Sequence, residues 1–100
     1  MKVYLDDERK APDGWVLVKT VEGVINLLDD ITELSLDHDL GDGNQTGYDL
    51  MLYLERQAYK DENFKLPEIT FHTQNPVGLR KMQLCLISII TILSIKDHYR

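Results

Sequence analysis

Three short apolar runs in this chain each stop at side chains that a buried strand cannot carry further. Lys2-Val3-Tyr4-Leu5 ends at Asp6-Asp7-Glu8, Leu34-Ser35-Leu36 at Asp37-His38-Asp39, and Ile69-Thr70-Phe71 at His72. Short apolar runs without alternation suit strands buried on both faces, the pattern of a parallel sheet flanked by helices. A further run, Trp15-Val16-Leu17-Val18, has good β propensity and follows a turn marked by Pro12, Asp13 and Gly14. Its link to the first strand is either a hairpin or a crossover over Glu8 to Gly14.

Helical signals separate the later strands. Thr20 is an N-cap for a segment whose Val21, Val24, Leu27, Leu28 and Ile31 recur at helical spacing. Gly23 weakens that helix by up to about 1 kcal/mol relative to alanine. Thr46 and Asp49 form a capping box at the head of a second helix, which carries Tyr48, Met51, Leu52, Leu54 and Tyr59. Asn75-Pro76 is an N-cap followed by proline at the first helical position. From Val77 the chain is apolar nearly all round, which means burial on more than one side or pairing with a second copy. The β-branched stretch from Ile87 to Ile95 also fits a helix followed by a fifth strand, but no Gly or Pro divides it and one helix is the favoured reading.

The order is β, β, α, β, α, β, α. It predicts an α/β domain over residues 1–100, with a mostly parallel sheet of four strands covered by helices. The chain has 100 residues and a net charge of −6. That charge argues against an extended nucleic-acid surface but not against a small anion bridged by a cation. Cys85 is alone and lies in an apolar run, as expected of a buried thiol in a reducing compartment. The N-terminus lacks a signal-peptide core, and Leu84 to Ile95 is about half the length that spans a bilayer. A cytoplasmic protein without a membrane partner is the expectation.

In a parallel sheet the C-terminal strand ends share one edge, where open α/β sheets place their sites. Asp6 or Asp7, Asp37 and His72 therefore converge if their strands are neighbours. Crowded carboxylates repel, and a divalent cation such as Mg²⁺ relieves the repulsion and can neutralise a phosphoryl group. His72 titrates near neutral pH and suits a general acid or base. Thr46 and Asn75 are accounted for as caps, though a helix N-terminus at that edge also offers N–H groups to an anion. Asp-Asp after a strand is equally consistent with a solvated turn, and His38 and Asp39 with loop hydrogen bonding.

The pattern resembles the receiver fold of response regulators, with Asp6, Asp7 and Asp37 at the acidic pair and phosphoacceptor positions. Two features depart from it: His72 replaces the usual Thr or Ser, and Lys96 is the only candidate for the lysine that ends a receiver's fifth strand. The segments MKVYLDDERKAPDGWVLVKT, LSLDHDLGD...TGYDL and FHTQNPVG are similar to the cyclic-phosphate processing receiver-like domains, over most of residues 1–82. The resemblance implies a three-layer, receiver-like (flavodoxin-like) fold, truncated relative to a full receiver. It implies metal ligands Asp6, Asp7 and Asp37, with His38 and Asp39 adjoining, and His72 and Asn75 facing a phosphate. The expected catalytic set is Asp37, His72 and His38, with Asp39, Thr46 and Asn75 holding substrate. The expected function is processing of a cyclic phosphate on an RNA end or nucleotide. The alternatives are a phospho-accepting module using Asp37, and a non-catalytic homodimer formed through the apolar C-terminal segment.

Overall fold

All four runs form strands in the computed structural model, which describes residues 1–100. They are β1 (Lys2–Leu5), β2 (Val16–Val18), β3 (Glu33–Leu36) and β4 (Glu68–Phe71). Their order is β2-β1-β3-β4, and every pairing is parallel. Val3 lies beside Val16 and Leu34, so the hairpin alternative is ruled out. The return from β1 to β2 is made by a loop with no helix in it.

Three helices complete the chain: α1 (Val21–Leu27), α2 (Gly47–Lys60) and α3 (Pro76–His98). Their starts lie where the capping signals put them. Thr46 and Asp49 make the reciprocal capping box, and Thr20 and Asn75 accept from Gly23 N and Gly78 N. α1 is shorter than its apolar spacing suggests. It tightens into a 3₁₀ turn at Leu28–Asp30, and Ile31 enters the core from extended backbone. Gly23 has a packing reason to sit inside α1, because a Cβ there would come 2.7 Å from the Val18 side chain.

The helices cover one face of the sheet. The β2-α1-β3 and β3-α2-β4 crossovers move the same way across the sheet, and right-handed crossovers then lie on the same side. α3 packs along α2. Val3, Leu5, Leu34 and Leu36, all with no exposed surface, meet Val24, Leu50, Met51, Leu54, Met82 and Ile89 in one core. Residues of the opposite parity form a cross-strand row, Leu17-Tyr4-Ser35-Thr70, on the other face. That face carries Trp15 edge-on to Tyr4, with Lys2 over the indole. The expected three layers are therefore two. The physical reason is that the β1–β2 link is a loop, with no helix to cover the other face.

α3 runs unbroken through Leu84 to Ile95, so no fifth strand forms. Met82, Cys85 and Ile89 recur at helical spacing and bury one side, which decides the conformation over β-branching. Burial pushes the Cys85 thiol up to about 11, with Glu55 adding to the rise. Lys96 lies near the C-terminal end of α3, 3.1 Å from Glu62, and cannot serve as a receiver's site lysine. Leu84, Ile87, Ile90 and Ile95 remain exposed. By length and apolarity α3 could cross a membrane, although its buried positions pack inside this fold.

The adjacent pair Ile89 and Ile90 tests this helix. Ile89 is fully buried and Ile90 is 49% exposed. Ile89→Ala should lose about 2–5 kcal/mol in denaturant unfolding, and Ile90→Ala should stay within about 0.5 kcal/mol. Equal losses would contradict the helix face assigned here.

Candidate functional site

The ladder of parallel hydrogen bonds continues one residue past the strands. Asp6 N donates to Val18 O at 3.1 Å, Asp37 N to Leu5 O at 3.0 Å, and His72 N to Leu36 O at 3.0 Å. Asp6, Asp37 and His72 thus stand side by side, with the parity of Tyr4, Ser35 and Thr70. The topology itself brings together three polar residues that lie far apart in sequence. One carboxylate oxygen of each Asp and one ring nitrogen of His72 all lie within 4.8 Å of one another.

Asp6 has no exposed surface. Its Oδ1 accepts from the backbone of Glu8 at 2.9 Å and Arg9 at 2.8 Å, and its Oδ2 lies 3.0 Å from His72 Nε2. Burial alone would raise its pKa. The Arg9 and Glu8 amides and then His72 outweigh burial and hold it below the ordinary value. His72 stacks flat on Tyr4, with ring centroids 4.0 Å apart, and its Nδ1 lies 2.8 Å from Ser35 Oγ. Burial lowers its pKa more than Asp6 raises it, so the ring is neutral at neutral pH. The neutral tautomer that satisfies both contacts carries its proton on Nε2, donates to Asp6 and accepts the Ser35 hydroxyl proton.

Beside this cluster lies an open cleft of about 660 Å³. Asp7, Asp37, Asp39, Asp42 and Asn75 are on its wall, and Arg9 is the only basic residue lining it. The Arg9 guanidinium is tied down by a bond to the His72 carbonyl and lies 3.9 Å from Asp6 Oδ2. Asp37 Oδ1 accepts from His38 N at 2.8 Å.

Residues 1–88 match the family model described as cyclic-phosphate processing receiver domain. The chain belongs to this family. The match ends inside α3. Neither the curated proteins nor the solved structures include a match to this chain.

Within this receiver-like domain, the other residues singled out from the sequence occupy different positions. Asp7 is on the cleft wall rather than in the tight cluster. His38, Asp39 and Asn75 form a clamp between the β3–α2 loop and the head of α3. His38 Nδ1 is 3.1 Å from Asp39 Oδ1, and Asn75 Nδ2 donates to Asp39 Oδ2 at 3.1 Å. The Asn75 and His38 contacts hold the Asp39 carboxyl below its ordinary pKa. Asn75 Oδ1 is taken by Gly78 N, and Thr46 is engaged with Asp49. A Cβ at Gly78 would overlap the His38 ring, and one at Gly47 would overlap the Asp37 carbonyl. Both helix heads can approach the site only because they begin with glycine near the N-terminus.

The donors fit a divalent cation. Nε2 of His72 and Oδ2 of Asp6 are 3.0 Å apart. Neighbouring ligands of an octahedral ion with bonds of ~2.1 Å have about that separation. Sequence reasoning missed Arg9 and Ser35. A polar residue inside the apolar run Leu34-Ser35-Leu36 was the available signal for the second.

Both pKa shifts at the cluster act in the same direction on stability. His72 has a lowered folded pKa, so the unfolded chain takes up the proton first as pH falls through about 6.5. Asp6, also lowered, contributes stability above its unfolded value of about 3.9 that is lost as pH falls through the folded pKa. The metal-free protein should therefore lose stability progressively on acidification below about pH 6.5. Urea midpoints from pH 8 to pH 4 read this directly. His72→Gln should flatten the upper part of the profile, and an unchanged slope in that variant would contradict the assignment.

Proposed function

We propose that this domain opens cyclic phosphodiesters, on a nucleotide or an RNA end, with a divalent cation held by Asp6, Asp37 and His72. The observation that carries the reading is the convergence of those three donors beside an acidic cleft with one fixed guanidinium. Membership of a family described by cyclic-phosphate processing supports the substrate class. Mg²⁺ remains the first candidate, and an imidazole in the donor set extends the choice to Mn²⁺. A bound cation would polarise the phosphoryl group and lower the pKa of a coordinated water.

The chain's own residues would do the remaining work. Arg9 would pair with a non-bridging phosphate oxygen, and its link to the His72 carbonyl fixes its position. Asp7, on the cleft wall, would accept the proton of the attacking water. One P–O bond forms to that water and one P–O bond to the sugar breaks, with the sugar oxygen taking a proton from solvent. His72 serves better as ligand than as the proton donor expected from the sequence, because both ring nitrogens are engaged beneath the cleft. The engagement of Asp39, Thr46 and Asn75 in clamp and caps supports a role in shaping the walls. The small cleft and the net charge favour a nucleotide or a strand terminus over a long nucleic acid.

The test is incubation with Mn²⁺ or Mg²⁺ and 2′,3′-cyclic nucleotides, following nucleoside monophosphate by chromatography. Turnover should vanish with chelator. It should fall about 100-fold or more in Asp37→Asn, the scale expected when several kcal/mol of charge stabilisation is lost. Product that forms equally well with chelator present would refute the metal-dependent reading.

A further inference from the structure

The hydrogen-bonded line Asp6-His72-Ser35 has a third member that the proposed chemistry does not use. Ser35 is on the middle of β3, buried, on the helix-free face between its cross-strand neighbours Tyr4 and Thr70. Every other buried position of β3 is apolar, and Leu34 and Leu36 point into the core. A hydroxyl at a buried position is costly unless it is bonded. Its side-chain partner is His72 Nδ1, at 2.8 Å.

We propose that Ser35 is a positioning residue that allows His72 to present Nε2 either as a donor to Asp6 or as a bare nitrogen to a cation. The inference rests on the metal-dependent reading given above. Without a cation, Nε2–H donates to Asp6 Oδ2 and Nδ1 accepts from the Ser35 hydroxyl. A cation on Nε2 requires the lone pair there, so the single ring proton must sit on Nδ1. The ring stays neutral: one proton leaves Nε2 for solvent and one arrives at Nδ1. Nδ1–H then needs an acceptor in a buried place, and Ser35 Oγ is within reach. A hydroxyl is suited to this because it both donates and accepts. Carboxylate or lysine would permit only one arrangement, and alanine neither. Tyr4, stacked on the ring with planes 6° apart, keeps the imidazole from rotating away while the proton changes place. Groups that hold the second nitrogen of a ligating histidine commonly contribute 10–100-fold to metal affinity.

The experiment measures Mn²⁺ binding by calorimetry in the full chain and its variants. Wild-type protein should bind Mn²⁺ in a manner lost in Asp37→Asn. Ser35→Ala should bind about 10–100-fold more weakly, and Ser35→Thr, which keeps the hydroxyl, should recover most of the affinity. In the Zn²⁺-loaded protein, ¹⁵N spectra of the His72 ring should show the proton on Nδ1. Its exchange with water should be slow in wild type and fast in Ser35→Ala. If the alanine variant fails to fold, Ser35→Cys, nearly isosteric but a poor hydrogen-bonding group, should show the same weakening. Undiminished affinity in either variant, beside tight wild-type binding, would overturn the role of Ser35 alone. Failure of wild-type protein to bind, or binding insensitive to Asp37→Asn, would instead remove the metal reading and this inference with it.

Discussion

A carboxylate with no exposed surface governs this structure. Asp6 follows the last residue of β1, where the chain leaves the sheet, and its charge is cut off from water. Burying such a group is tolerable only if each oxygen is compensated. The compensation comes from three places: the Glu8 and Arg9 amides fold the following loop back on itself, and His72 closes the contact from the end of β4. Arg9 extends the connection by binding the His72 carbonyl. The loop that replaces a helix between β1 and β2 is therefore pinned to a strand two places away in the sheet.

The one-sided cover of the sheet has a consequence for the site. With all helices on one face, the apolar parity of each strand is used by the core. The opposite parity is free to carry Tyr4, Ser35, Thr70 and, past the strand ends, Asp6, Asp37 and His72. Polar and aromatic side chains can then stack into a supporting layer beneath the site. The cleft's acidity and its single guanidinium make it suited to a cation first and an anion second. The clamp of His38, Asp39 and Asn75 joins the β3–α2 loop to the head of α3 beside the cleft.

Much of this could be read in the residues. Strand ends at Leu5, Leu36 and Phe71 and helix starts after Thr20, Thr46 and Asn75 are local signals, carried by a few side chains whose hydrogen bonding has one economical solution. The shared edge of Asp6, Asp37 and His72 followed from topology alone. What stayed hidden depended on long-range geometry. The β1–β2 link has no periodic signal, so hairpin and crossover were equivalent until the parallel register was seen. Three layers were expected because two-sided burial and one-sided burial with a polar row differ only in the fate of Tyr4, Ser35 and Thr70. Asp7 and Asp6 are neighbours in sequence, and only the turn geometry tells which of them is buried with His72 and which lines the cleft. Arg9 carries no local signal, because its partner is sixty-three positions away.

Asp6, Asp37 and His72 are proposed to form one cation site. Anomalous diffraction from crystals of this protein soaked in Mn²⁺ tests it most directly. A single strong peak is expected within bonding distance of Asp6 Oδ2, a carboxylate oxygen of Asp37 and His72 Nε2. A peak confined to Asp7 and Asp42 across the cleft, with the Asp6–His72 hydrogen bond intact, would contradict it.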